Sequence, residues 1–157
     1  MSGLNCIAFP AITIKREFEN LAIAGRKRWE VLRLPLPLGK PIGLVVDGQL
    51  SSFAVFSHGV TAMPAHLQRH ICVAAGGGDA VSLGVAIGSL FDFAKGRDLF
   101  AYEYDAIVRA ELARGVHALF EDRIVSLTSY SRRALENWQG RLFARLMNNL
   151  MKKGGAE

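Results

Sequence analysis

A long amphipathic helix near the C-terminus constrains the fold more than any other stretch of the chain. Residues 131–153 follow Thr128 and Ser129, either of which can cap a helix start, and they end before Gly154 and Gly155. Apolar side chains recur at spacings of three and four, which at 3.6 residues per turn places them on one side of the helix. They are Leu135, Trp138, Leu142, Leu146 and Leu150. The helix must therefore bury this side against the rest of the fold.

Positive charge is concentrated on the same helix. Residues 131–153 contain six basic side chains and one acidic side chain, whereas residues 79–122 contain eight acidic and four basic ones. Arg141, Arg145 and Lys152 fall within about 40° of arc beside the apolar stripe. A solvated cationic face explains this pattern without any ligand. If the helix binds nucleic acid or another partner, the binding residues are Arg132, Arg133, Arg141, Arg145 and Lys152.

The first 57 residues predict a small antiparallel sheet. Asp47-Gly48 lies between the β-rich runs 42–46 and 53–56, and this dipeptide suits the positive φ angles of a tight hairpin turn. The late start of the second run allows a longer or bulged turn. Residues 29–34 alternate as a strand does, with Glu30 on the same face as two leucines.

Two other features of this segment modify the predicted sheet. Pro10 confines the apolar stretch 6–14 to a sheet edge or an irregular segment. A short helix is expected to begin after Thr13 and to end at Gly25, where the basic triplet 26–28 offsets the helix dipole.

The remainder of the chain, residues 62–153, predicts helices. One ends at the glycines 76–78, the next is apolar nearly all round over 79–94, and a third covers about 102–120 before the final helix. We therefore expect an α+β fold in which a small antiparallel sheet packs against about four helices. A length of 157 residues predicts a single domain spanning 1–157.

No motif in the sequence strongly indicates a metal site, a phosphate-binding site or a catalytic site. His66 and His70 face the same way on a predicted helix, but a zinc site needs a third ligand and none follows at ligand spacing. The glycines before Asp79 fit neither common phosphate-binding motif, and that carboxylate would repel a phosphate. Ser57-His58 has no supporting motif. We predict no catalytic residue, no metal and no cofactor.

Composition suggests a soluble, cytoplasmic protein without a membrane span. Half of the residues are hydrophobic, the net charge is +5, and the longest apolar run, 80–91, is shorter than the roughly 20 residues that cross a bilayer. Cys6 and Cys72 belong to no ligand motif and are expected to be small buried residues.

These features favour a non-enzymatic accessory, regulatory or inhibitory protein that docks on a protein or nucleoprotein partner. Surfaces of opposite charge can orient a partner, and Met147 and Met151 extend the apolar arc of the final helix enough to allow a partner or a homodimer. The first alternative is sequence-nonspecific nucleic-acid binding by the basic final helix. The second is a small enzyme whose site is assembled only by the fold.

Overall fold

The computed structural model describes residues 3–62, 95–97 and 99–154. The predicted helices over 62–75 and 79–94 lie outside this range except for residue 62, as do His66, His70, Cys72 and the glycines 76–78.

One mixed sheet dominates the structure. Its strands are β1 (Asn5–Thr13), β2 (Trp29–Leu32), β3 (Ile42–Val46), β4 (Gln49–Ala62), β5 (Leu99–Arg109), β6 (His117–Glu121) and β7 (Ile124–Ser129). The spatial order is β2-β5-β4-β3-β1-β7-β6. β1 runs parallel to β3 and antiparallel to β7. Within the described ranges there are two helices, α1 (Arg16–Ile23) and α2 (Arg132–Gly154).

The predicted small antiparallel sheet under about four helices is therefore wrong. Within the described ranges the sheet has seven strands, is mixed, and draws three of them from beyond residue 98. The α+β label describes such a strand-rich chain only loosely.

The clearest single error is the helix predicted over 102–120, which is strand β5, a turn and strand β6. Buried Tyr102 and Tyr104 alternate with half-buried Glu103 and Asp105, which is the period-2 pattern of a strand. Gly115, at φ 83°, provides the left-handed residue that the intervening turn uses.

The hairpin at Asp47-Gly48 is confirmed. Val46 pairs with Gln49, and the two turn residues have φ angles of 52° and 78°, as a two-residue turn that follows the twist of the strands requires. A register shift between Leu44 and Val45 supplies the expected irregularity.

Pro10 lies in an inner strand, not at the edge that its sequence predicts. Residues 5–10 pair with β7 and residues 11–13 pair with β3. The backbone N–H of Ala11 donates to the Arg123 carbonyl on the β7 side, so the nitrogen of Pro10 faces the opposite way. Because pairing with β3 begins only at Ala11, the missing N–H of Pro10 leaves that ladder intact.

The chain divides into two compact units. Unit 1 comprises Met1–Arg16, Pro41–Val55 and Asp105–Glu157, and unit 2 comprises Glu17–Lys40 and Phe56–Tyr104. The single-domain assignment stays a prediction.

Unit 1 is built on the apolar side of α2. Leu135, Trp138, Leu142 and Leu146 are buried on the sheet, as their spacing predicted. The indole of Trp138 contacts the rings of Phe9 and Phe53 at centroid distances of 6.1 and 5.6 Å. The helix cap is Ser131, whose hydroxyl accepts a hydrogen bond from the Ala134 backbone N–H at 3.1 Å, and not Thr128 or Ser129.

Unit 2 contains α1, β2 and the loop that follows β2. The Tyr102 hydroxyl accepts a hydrogen bond from the Leu36 backbone N–H at 2.8 Å, and the Phe56 carbonyl accepts one from Gly39 at 2.9 Å. These two bonds hold the proline-rich loop in place. In the described ranges, no helix is both long enough and apolar enough to cross a membrane.

Candidate functional site

The outward side of α2 carries a row of exposed apolar side chains. Phe143, Met147 and Met151 are 45, 59 and 68% exposed, and we call these three residues the outer stripe. Their spacing of four residues aligns them along the helix, on a different side from the buried leucines. The helix thus has one apolar side packed on the sheet and a second one open to solvent.

The predicted basic residues differ in their surroundings. The Arg132 Nε lies 3.0 Å from a Glu136 carboxylate oxygen, and an Arg145 guanidinium nitrogen lies 3.5 Å from one of Glu111. Arg133, Arg141 and Lys152 are exposed, and no carboxylate in the described ranges pairs with them. The five cations are therefore not one continuous free surface.

Arg141 and Arg145 both line a small depression on the surface of unit 1. Its walls also include Glu111, Trp138 and Leu142, and it encloses about 30 Å³. The Trp138 indole N–H donates to the Glu111 carbonyl oxygen at 2.9 Å, which fixes the backbone at the rim. Sequence reasoning missed Glu111 because it placed this residue inside a helix, whereas it lies in the turn region after β5.

Unit 2 contains a group of buried ionisable side chains. We call Glu19, Lys27, Glu30 and Tyr104 the buried charge cluster. Lys27 is 3% exposed and Glu30 6%, and the lysine Nζ lies 3.6 Å from a Glu30 carboxylate oxygen. The Tyr104 hydroxyl donates to the other Glu30 oxygen at 2.6 Å. The ammonium also lies 5.1 Å from the centroid of the Phe18 ring, within the range of a cation–π contact.

These surroundings change the acidity of the tyrosine. Burial raises the pKa of Tyr104 well above its usual value, and the negative charge of Glu30, the hydrogen bond to it and the charge of Glu19 raise it further. Tyr104 therefore stays neutral and keeps its proton for Glu30. Buried ionisable groups with such specific partners are typical of functional sites.

The sequence interpretation of residues 26–28 needs correction. Arg26 and Arg28 are exposed, but Lys27 is buried and pairs with Glu30, so the triplet does more than offset a helix dipole. In the sequence, a buried charge pair was indicated only by Glu30, whose carboxylate lies on a strand face that it shares with leucines. Its partner Tyr104 is 74 residues away, which no local spacing reveals.

Residues considered for chemistry elsewhere do not form a described site. Ser57 and His58 are exposed neighbours on β4, and the His58 ring packs edge-on against Trp29 at 6.0 Å. Across residues 3–62, 95–97 and 99–154, no three His, Cys, Asp or Glu side chains are placed to hold a metal ion. Cys6 is exposed, contrary to the expectation that it is buried.

No family model and no curated protein matches the chain. Among solved structures, an ASCH protein from Zymomonas mobilis is similar with a TM-score of 0.47 and 19% identity over 62% of this chain and 65% of that one. Two single-residue mutants of that protein give TM-scores of 0.48, also at 19% identity, and the match covers 66 and 67% of their chains. This similarity assigns neither a family nor a function.

Proposed function

We propose that the chain is a non-enzymatic accessory or regulatory protein that docks on a partner protein through the outer stripe of α2. The observation that carries the proposal is the exposure of Phe143, Met147 and Met151 in one row. Single exposed apolar residues are ordinary, but an aligned row on a helix whose other side is already packed costs solvation without stabilising the fold.

The side-chain types suit a helical binding surface. Methionine is unbranched and polarisable, so it adapts to irregular partner surfaces, and phenylalanine supplies a large rigid contact. Anchors at positions i, i+4 and i+8 are those that a helix presents to a groove or to another helix.

Charge indicates the chemistry of the partner. Because α2 carries six basic residues and one acidic residue over 131–153, an acidic amphipathic segment complements it. A second copy of the chain would bring two strongly basic helices together, so an acidic heterologous partner is favoured over a homodimer.

Nucleic-acid binding is the competing proposal for the same helix. Arg133, Arg141 and Lys152 are exposed and available for phosphates, but Arg132 and Arg145 already lie beside carboxylates. Phosphate binding would use these cations and would leave the outer stripe uncovered. Dependence of binding on the outer stripe therefore distinguishes the two proposals.

Site-specific photo-crosslinking tests the docking proposal. A photoreactive residue replaces Met147 or, as a matched control, the exposed Asn148 next to it on the helix. In an extract of the natural host, position 147 is expected to crosslink one protein strongly and position 148 weakly. The captured protein, once purified, must bind the wild-type chain and the Asn148→Glu variant but not Met147→Glu. Equal crosslinking at both positions, or equal binding by both variants, contradicts the proposal.

A second candidate function, a small-molecule site, is favoured by the buried charge cluster. The Lys27 ammonium lies 3.6 Å from the Glu30 carboxylate, and the Tyr104 phenol donates a hydrogen bond to it. These donor and acceptor groups complement a ligand that has adjacent carbonyl and N–H groups, such as an amide or a nucleobase. Such a ligand would compete with the internal Lys27–Glu30 pair.

A thermal-shift screen with amides, ureas and nucleobases tests this second function. A ligand that binds only the native state raises Tm in proportion to the logarithm of its concentration. We expect a shift in the wild type that is absent in Glu30→Gln, with folding of the variant verified by circular dichroism. No shift with any compound, or the same shift in the variant, refutes a ligand site at the cluster.

A further inference from the structure

The depression between Arg141 and Arg145 points to a specific anion site. The two arginines are four residues apart on α2, about one helical turn, and Trp138 and Leu142 also line the depression. The depression has a volume of about 30 Å³, which leaves room for a group the size of a carboxylate. Arginine binds carboxylates with two parallel hydrogen bonds when its fork is accessible.

The chain already places one carboxylate against this site. A Glu111 oxygen lies 3.5 Å from an Arg145 guanidinium nitrogen, yet the Glu111 side chain is 74% exposed while that of Arg145 is 32% exposed. The Trp138 indole N–H donates to the Glu111 backbone carbonyl oxygen, which holds the Glu111 backbone beside the depression. Glu111 thus acts as a weakly held internal occupant of the position that an external carboxylate would take.

From this geometry we infer that the Arg141–Arg145 depression binds a single carboxylate side chain of an acidic protein segment, in competition with Glu111. The inference rests on the proposed docking function in taking a protein segment as the ligand, but the depression lies apart from the outer stripe and is tested separately. A carboxylate is favoured over a phosphodiester because the internal occupant is itself a carboxylate.

Competition by Glu111 lowers the apparent affinity of the depression for an external carboxylate. An internal group that occupies a site for part of the time reduces the apparent affinity for an external ligand by the fraction of time that the site is open. Replacing Glu111 by glutamine removes that competitor and keeps the size of the side chain. We expect Glu111→Gln to bind an acidic peptide about three to ten times more tightly than the wild type.

The assay follows the indole N–H signal of Trp138 by ¹⁵N NMR, since this group lines the depression. The chain has two tryptophans, and the Trp29→Phe variant assigns the signal. The probes are acetylated, amidated tetraglutamate, tetraglutamine of the same length, inorganic phosphate and a thymidine oligonucleotide. Tetraglutamate is expected to shift the signal saturably, and tetraglutamine is not.

Three variants test whether tetraglutamate binding depends on the Arg141–Arg145 depression. Arg141→Gln is expected to weaken tetraglutamate binding at least tenfold, whereas Arg133→Gln, which removes the same charge elsewhere on α2, changes it less than twofold. Met147→Glu leaves tetraglutamate binding within twofold, so failure of the outer stripe and failure of this site are separate results. The inference is overturned if tetraglutamine acts like tetraglutamate, if Glu111→Gln binds more weakly, or if only phosphate or the oligonucleotide shifts the signal.

Discussion

Replacing Lys27 by methionine is expected to destabilise the chain severely, because it leaves Glu30 buried without its cation. Both residues are almost fully buried, at 3 and 6% exposure. Removing one partner of a buried pair typically costs about 3–5 kcal/mol. For a chain of this length, each kcal/mol lowers Tm by roughly 2–4 °C, so we expect a fall of roughly 6–20 °C.

Two further variants separate the contributions within the cluster. Tyr104→Phe removes a hydrogen bond to a buried carboxylate and is expected to cost about 1.5–3 kcal/mol. The double variant Lys27→Met, Glu30→Gln removes both charges and keeps a side-chain oxygen that accepts the hydrogen bond from the Tyr104 hydroxyl. The double variant is expected to recover more than half of the free energy of unfolding that Lys27→Met loses. A neutral buried pair avoids most of the penalty of an unpaired charge.

The assay is urea and thermal unfolding at pH 7, followed by far-ultraviolet circular dichroism and by tryptophan fluorescence to check that both transitions coincide. Arg26→Met is the matched control, because Arg26 is exposed in the same triplet and the change removes the same charge. It should alter the free energy of unfolding by no more than about 0.5 kcal/mol. A Lys27→Met loss below about 1 kcal/mol, or a double variant less stable than the single one, would refute the reasoning.

Three other predictions concern pH and glycines. Because the pKa of Tyr104 is higher in the folded than in the unfolded chain, its contribution to stability is complete below pH 10.0 and is lost as the pH rises further. Urea midpoints between pH 7 and pH 11 should therefore fall less in Tyr104→Phe than in the wild type. Gly43→Ala would place a Cβ 2.7 Å from the Val125 Cγ1 inside the core of unit 1, and the free energy of unfolding should fall by about 1–3 kcal/mol. Gly140→Ala on α2 meets open space and should raise it by about 0.5–1 kcal/mol, and equal effects of the two alanines in urea titrations would contradict the packing account.

The sequence predicted the elements whose signals are local. The heptad-like spacing of Leu135, Trp138, Leu142 and Leu146 predicted α2, and Asp47-Gly48 predicted its hairpin, because a helix face and a tight turn are defined within a few residues.

The region 102–120 failed because two periodicities coexist there. Val108, Leu112, Val116 and Leu119 match helical spacing, while the alternation from Tyr102 to Ala106 matches a strand. The segment forms a strand because β5 pairs with β2 in the sheet, from Trp29↔Glu103 to Leu32↔Phe100. Local propensity carries no information about that partner strand.

In the candidate site, too, residues that are close in sequence were predicted together and partners that are distant in sequence were not. Arg141 and Arg145 were predicted to be neighbours by their spacing of four on one helix, and both line the depression. Glu111, which completes the depression, lies 27 residues from Trp138, and Tyr104 lies 74 residues from Glu30. Tertiary structure sets these distances, so sequence spacing could not identify either partner.

The affinity of the crosslinked partner for three forms of the chain tests docking through the outer stripe most directly. Isothermal titration calorimetry would compare the wild type with Met147→Glu and Asn148→Glu, which place the same new charge on and beside the stripe. A central apolar anchor typically contributes 2 kcal/mol or more to binding, so Met147→Glu is expected to raise Kd roughly thirtyfold or more, with less than threefold for Asn148→Glu. Equal Kd values for the two variants would show that the outer stripe is not the docking surface.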